Sequence, residues 1–275
     1  MNSILISSKE LTKLLNHPNL ILLNASVKPV TSLSNLPTKE NRTNPHVKFF
    51  DLKNKFSDQD SNLPNMMPKK SSFEKQCQIL GINQNSIIVV FDDLGIYSSP
   101  RVWWMFKEMG HQKVYILNEK LPEQLTSKYN KKRAYHKQLG TFKITDTLNS
   151  IIDYDFIKSN HQSNSIIIFD ARSSERFKGI AKEPRPKLQS GCIPNSYNIP
   201  YQLVLNNKYF KPKNELTAIF NQFNHHSKQV IFSCGSGLTA AILLVAYHLA
   251  FDPTKTYLYD GSWCQWAEKN KLFIN

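Results

Sequence analysis

Short, unbroken apolar runs recur along the chain, and several are followed by a stretch of helical periodicity. IIVVFDD (Ile87 to Asp93) and QVIFSC (Gln229 to Cys234) are runs of the kind that reads as a buried parallel strand, and Ser99 to Gly110 and Leu238 to Ala250 read as the helices that follow them. This alternation predicts an α/β fold in which mainly parallel sheets are flanked by helices. The pattern also repeats. LLNAS (Leu22 to Ser26) resembles IFDARS (Ile168 to Ser173), which sets Asn24 against Asp170. The run ending before Asp92 matches the run ending before Cys234. VYILNEKLPEQ (Val114 to Gln124) meets TYLYDGSWCQW (Thr256 to Trp266), placing Asn118 against Asp260. Three blocks in one order at a nearly constant offset predict two copies of one unit. The expected division is a first domain over 1–125, a linker over 126–147 containing the polar, basic stretch Ser127 to Lys137, and a second domain over 148–275.

In open parallel sheets, ligands sit at the carboxyl ends of the strands. In the second copy the strand runs into Cys234-Gly235-Ser236-Gly237-Leu238-Thr239, and a helix follows at once. Two glycines let the backbone turn its N–H groups inward, and the helix amino end adds partial positive charge, so a thiolate or persulfide there would be stabilised. The same cysteine also fits a buried strand end packed as a small hydrophobe. Local sequence leaves both readings open.

Composition narrows the function classes. The chain has 275 residues, enough for about two domains, each with its own core. A hydrophobic share of 40% with 11% aromatics exceeds that of a disordered chain. Lys and Arg number 35 against 21 Asp and Glu, for a formal charge of +14. The lysines are scattered and the aromatics lie inside apolar runs, which argues against specific nucleic-acid binding. The residues after Met1 show no signal-peptide pattern. The longest apolar stretch, Ala240 to Phe251, falls short of the ~20 residues that span a bilayer, so no membrane association is expected. Cys77, Cys192, Cys234 and Cys264 lack both zinc-site pairs and the spacing of a disulfide framework. The expectation is a cytoplasmic protein with no metal.

DARSSERFKG (Asp170 to Gly179), EPRP (Glu183 to Pro186), GCIPNSYNIPY (Gly191 to Tyr201), CGSGLTA (Cys234 to Ala240) and YDGSWCQW (Tyr259 to Trp266) resemble the motifs of the two-domain rhodanese family, and within it the 3-mercaptopyruvate sulfurtransferases. YSSPRVWWMF (Tyr97 to Phe106) and FFDL (Phe49 to Leu52) extend the resemblance into the first half. It implies two tandem rhodanese-like domains, of which the second carries the working cysteine. Asp92, standing opposite Cys234, cannot carry a sulfane sulfur.

By that resemblance Cys234 is the nucleophile. The N–H groups from Gly235 through Ser236, Gly237 and Leu238 to Thr239 form its cradle, and the Ser236 hydroxyl assists proton transfer. Arg176 and Arg185 hold the carboxylate and keto oxygen of the substrate. The resemblance further implies 3-mercaptopyruvate or thiosulfate as donor, with thioredoxin, small thiols or cyanide as acceptor, and no cofactor. The uncharged Gly235-Ser236-Gly237 favours the monoanionic donor. Against the family pattern, Lys53 stands where an acidic residue is usual, Asn65 where a histidine is, and Cys192 replaces the histidine of a GHIP-type motif. Cys77, Cys192 and Cys264 read as structural. A phosphatase of related fold needs Arg as the sixth residue after its cysteine, and here that residue is Ala240. A sulfur carrier without catalysis has no need of the intact CGSGLT loop.

Overall fold

Leu20–Asn24 and Ile87–Phe91, apolar at nearly every position, lie side by side in a parallel sheet because each has both faces covered. The same is true of Ile166–Asp170 and Gln229–Ser233 in the other half. This computed structural model describes residues 3–28, 46–131 and 138–274. The chain divides into two units, one of Met1–Gln59 and Met67–Leu148, the other of Asp60–Met66 and Asn149–Asn275.

The first unit runs β1 (Leu5–Ile6), α1 (Ser8–Leu14), β2 (Leu20–Asn24), β3 (Lys48–Phe49), α2 (Lys70–Ile79), β4 (Ile87–Phe91), α3 (Ser99–Glu108), β5 (Val114–Leu117) and α4 (Glu123–Lys131). The second runs β6 (Ile151–Ile152), α5 (Tyr154–Asn160), β7 (Ile166–Asp170), α6 (Ser174–Phe177), β8 (Ser196–Asn198), the hairpin β9 (Leu205–Asn206) and β10 (Tyr209–Phe210), α7 (Lys213–Phe220), β11 (Gln229–Ser233), α8 (Ala240–Phe251), β12 (Tyr257–Tyr259) and α9 (Ser262–Lys269). The two five-stranded sheets are wholly parallel and follow one path, β1-β5-β4-β2-β3 and β6-β12-β11-β7-β8. Asn24 and Asp170 end equivalent strands, and Asp92 and Cys234 follow equivalent strands, as the repeat predicts.

Helix α8 is apolar all round, and a helix of that kind needs cover on every side. It packs on α7 and on β11, β12 and β7, and its left-handed cap at Asp252 ends it. Among the described residues no helix is long and apolar enough to cross a membrane.

The stretch expected to be a linker is used differently. Glu123–Lys131 is helical, and Tyr129 is buried with its hydroxyl donating to the Leu20 carbonyl at 3.0 Å. After 132–137, which lie outside the described residues, Phe142 is buried against Phe73 and Phe106, and the Gly140 N–H donates to Gln78 O at 2.7 Å. Polar composition reports the outward faces of this segment, and two aromatic anchors tie it to the first unit. That unit ends at Leu148, whose N–H still donates to Glu108 O, and Asn149 turns left-handed (φ 51°) into the second. The segment Asp60–Met66 departs from its neighbours to join the second unit.

The loop after β4 is closed by its own side chain. Asp92 Oδ2 accepts from the N–H groups of Tyr97, Ser98 and Ser99 at 3.1, 3.0 and 2.9 Å, and Oδ1 accepts from Leu94 N–H at 3.2 Å. Burial pushes the Asp92 carboxyl up from its ordinary value, and these N–H bonds oppose the shift. The folded chain therefore holds this proton more tightly than the unfolded one. The stabilising contribution is fullest below pH 3.8 and falls as pH rises through the raised value. Asp92→Ala is expected to lower the unfolding free energy by about 3 kcal/mol, since each buried donor left without an acceptor costs roughly 1–3 kcal/mol and the loop can partly rehydrate. Urea unfolding checks this, and a change below about 1 kcal/mol would show that the carboxylate is not what holds the loop.

Candidate active site

The carboxyl ends of β7, β11 and β12 deliver Asp170, Cys234 and Asp260 to one edge of the second sheet. The loop after β11 is anchored from α9. Ser262 Oγ accepts from the N–H groups of Cys234 (3.2 Å) and Gly237 (3.0 Å) and donates to Tyr259 O (2.8 Å). In return, Trp263 N–H donates to Cys234 O and Cys264 N–H to Gly235 O. Ser262 adopts φ 50°, in the left-handed region uncommon for a residue other than glycine, and is fully buried.

Of the predicted cradle, Gly237 N–H is thus spent on Ser262, which corrects the expectation that it faces the sulfur. The N–H groups of Gly235, Ser236, Leu238 and Thr239 find no acceptor among the described residues. The first unit shows what such a loop does with an anion. Gly95 and Gly237, at matching places in the repeat, share positive φ (92° and 75°), and the N–H groups around Gly95 converge on the Asp92 carboxylate. Cys234 stands at the position of that carboxylate, with its side chain buried.

Both predicted arginines reach the loop. A Cβ added to Gly235 would lie 2.9 Å from Arg176 Nη2, so Gly235 leaves room for that guanidinium, and Arg176 is paired with Glu183. Arg185 Nη2 donates to Ser236 Oγ at 3.2 Å and its Nη1 to Cys264 Sγ at 3.3 Å. Ser236 Oγ also accepts from Asn65 Nδ2 at 3.0 Å. Burial pushes the Cys264 thiol up, with Arg185 pulling the other way. The Cys192 thiol is also raised by burial, and Cys77 is buried in α2. Lys53 is exposed, and its Nζ lies 3.5 Å from Lys28 O.

Arg172, Glu183 and Ser262 lie in the segments DARSSERFKG, EPRP and YDGSWCQW, but nothing in the sequence alone assigns them a role. Arg172 is fully buried. Its Nε meets both oxygens of Asp170, Nη2 meets Asp170 Oδ2 (2.7 Å) and Gly191 O (2.6 Å), and Nη1 meets Glu183 Oε1 (2.8 Å). The guanidinium lies over the Trp263 ring at 4.6 Å. Burial works against its charge, and Asp170 and Glu183 outweigh burial, so its pKa is raised. Glu183 therefore joins two arginines, with one carboxylate oxygen on Arg172 and the other on Arg176. Charged residues beside a strand end gave a signal that something polar gathers there, but not which partners meet.

Known proteins are similar to this chain over most of its length. The rhodanese-like domain family matches residues 154–269. The 3-mercaptopyruvate sulfurtransferase of Escherichia coli K12 is 34% identical over 231 residues, covering 83% of this chain and 81% of that one. A mitochondrial thiosulfate/3-mercaptopyruvate sulfurtransferase of Arabidopsis thaliana is 34% identical over 254 residues, where the chain spans 66% of the relative's length. Among solved structures, the Tum1 protein of Saccharomyces cerevisiae superposes with a TM-score of 0.84 at 30% identity, covering 98% of this chain and 97% of that one. The E. coli 3-mercaptopyruvate sulfurtransferase SseA gives 0.79 at 28% identity, covering 95% and 99%. Two α/β units of one topology, a cysteine at the end of β11 and kinship over most of the chain lead to one assignment: the protein belongs to the two-domain rhodanese family of sulfurtransferases.

Proposed function

We propose that this chain moves a sulfane sulfur from 3-mercaptopyruvate, through a persulfide on Cys234, to a thiol or cyanide acceptor. The observation that carries the reading is the convergence of Cys234, unspent loop N–H groups, Arg176 and Arg185 on one loop. The Cys234 thiolate attacks the donor sulfur and the carbon–sulfur bond breaks. Its electron pair stays on the carbon as the enolate of pyruvate, which then takes up a proton. The persulfide keeps the transferred sulfur within reach of the loop N–H groups until an acceptor thiolate, of thioredoxin or a small thiol, attacks the outer sulfur and returns Cys234 as thiolate. Arg185, with N–H groups beyond the two already used, and Arg176 suit a planar carboxylate.

The uncharged loop supports the monoanionic donor over thiosulfate, which is the second reading. The names of the relatives include both donors. Four cysteines without disulfides suit a reducing compartment, in keeping with a cytoplasmic site of action. The test is the response of the Michaelis constant. Arg176→Ala and Arg185→Ala are each expected to raise KM for 3-mercaptopyruvate at least about tenfold, the scale of one lost charged hydrogen bond. An unchanged KM in both would overturn their carboxylate role, and a higher kcat/KM for thiosulfate than for mercaptopyruvate in the unaltered protein would favour the second donor.

A further inference from the structure

The Ser236 hydroxyl is held in an unusual way. A hydroxyl has one proton to give and two lone pairs to accept with. At Oγ the neighbours are Asn65 Nδ2 (3.0 Å) and Arg185 Nη2 (3.2 Å), and both can only donate. The orientation of the Asn65 amide is fixed by chemistry, because Nδ2 also lies 3.3 Å from the Ser236 carbonyl oxygen, which only accepts. Both lone pairs are therefore occupied, and the Ser236 proton finds no acceptor among the described residues. The hydroxyl sits two residues beyond Cys234, in the same loop.

We infer that Asn65 is a positioning residue: with Arg185 it locks Ser236 as a dedicated hydrogen-bond donor to the oxygen on which charge develops during sulfur transfer. This inference rests on the reading in Proposed function. Neither partner offers an acceptor, since the amide Nδ2 and the guanidinium only donate. The Ser236 proton is thus kept aimed away from both. The backbone is built for Asn65 too. Its φ of 59° is left-handed, where Asn and Asp are favoured over other side chains. Among the described residues, the charged and titratable groups around the loop are Cys234 itself, Arg172, Arg176, Arg185, Glu183 and Cys264, with Asp170 and Asp260 at the ends of the flanking strands. Glu183 is tied to Arg172 and Arg176, and the Cys264 thiol receives Arg185. None of these places an acceptor on the Ser236 hydroxyl.

The test exchanges a donor for an acceptor in a side chain of the same shape, at a backbone position that favours both Asn and Asp. In Asn65→Asp the carboxylate accepts the Ser236 proton and turns the hydroxyl away from substrate. The expected result at neutral pH is a fall in kcat of about 100-fold with KM little changed, the scale for one lost transition-state donor. Activity relative to the unaltered protein should recover as pH falls toward the carboxyl range, about 4–5, where the protonated acid donates again. Asn65→Ala should lose less, about tenfold, with a profile parallel to the unaltered protein. In Ser236→Ala the further change Asn65→Asp should have no effect, because the two act as one unit. The inference is overturned if Asn65→Asp matches the unaltered kcat between about pH 5 and 9, or if its loss shows no pH-dependent recovery. Mass spectrometry of Cys234 after donor treatment separates this outcome from the parent reading. If the unaltered protein gains no sulfur, the sulfurtransferase reading fails; if it gains sulfur while the Asn65 variants behave otherwise than stated, only the lock fails.

Discussion

Cys234→Ser is expected to abolish turnover, with pyruvate release from 3-mercaptopyruvate falling by at least about 10⁴-fold, the scale seen when a covalent nucleophile is removed. Serine differs from cysteine by one atom, and the loop it sits in is anchored through main-chain groups. Cys234 N–H is held by Ser262, Cys234 O by Trp263 N–H and Gly235 O by Cys264 N–H. Nothing in that anchoring touches the sulfur, so the variant should fold and present the same cradle. On the proposed mechanism, what is lost is the thiolate that attacks and the sulfur–sulfur bond that stores the product of attack. The controls are Cys192→Ser and Cys264→Ser. Each of these thiols is pushed up by burial and less able to act as a thiolate, and each variant should keep measurable turnover. Mass spectrometry completes the test, because one sulfur mass should appear on Cys234 of the unaltered chain and not on its serine variant. Substantial pyruvate release from Cys234→Ser, or sulfur found on Cys192 or Cys264 instead, would remove Cys234 from its role.

Why that cysteine could be found in the sequence, and some of its neighbours could not, follows from the range of the forces involved. The strands β2, β4, β7 and β11 are covered on both faces, so burial writes a continuous apolar run into the chain, and the repeat makes the run visible twice. Strands β1, β3 and β6 are two residues long, too short for any period to show. The loop from Cys234 to Thr239 is legible because its glycines, its cysteine and the helix after it are contiguous. Gly237 shows the limit of that legibility. Its positive φ follows from local backbone demands, but the loss of its N–H to Ser262, 25 residues on, is a tertiary event. Asn65 is a stronger case. Its contact with Ser236 spans 171 residues and depends on a seven-residue excursion of the chain that no local propensity announces. The segment before Leu148 failed for a different reason, since average polarity hides the two rings, Tyr129 and Phe142, that hold it down.

Arg172→Leu is expected to cost about 3–5 kcal/mol of unfolding free energy, the range for breaking a buried ion pair from one side. With its side chain fully buried, Arg172 faces Asp170 and Glu183, which are themselves about 1% exposed. Removing the cation leaves two carboxylates in the interior with half their compensation gone, and strips the Gly191 carbonyl of its donor. The stacking on Trp263 goes as well, worth about 1–2 kcal/mol when desolvated and partly regained by leucine packing on the same ring. Against a total stability of about 5–15 kcal/mol, such a loss is large. Arg172→Lys should recover only a minor part. One ammonium cannot span Asp170, Glu183 and Gly191, a set of partners that uses Nε and both terminal nitrogens of the guanidinium. The effect should reach the site through Glu183. Freed from Arg172, its carboxylate is left to Arg176 alone, so the same variant should raise KM for a carboxylate-bearing donor while Cys234 still loads. Urea unfolding and steady-state kinetics on one preparation read both effects. An unfolding free energy within about 1 kcal/mol of the unaltered protein would show that the interior accommodates Asp170 and Glu183 without Arg172, and that their network is not what holds the arginine side of the site.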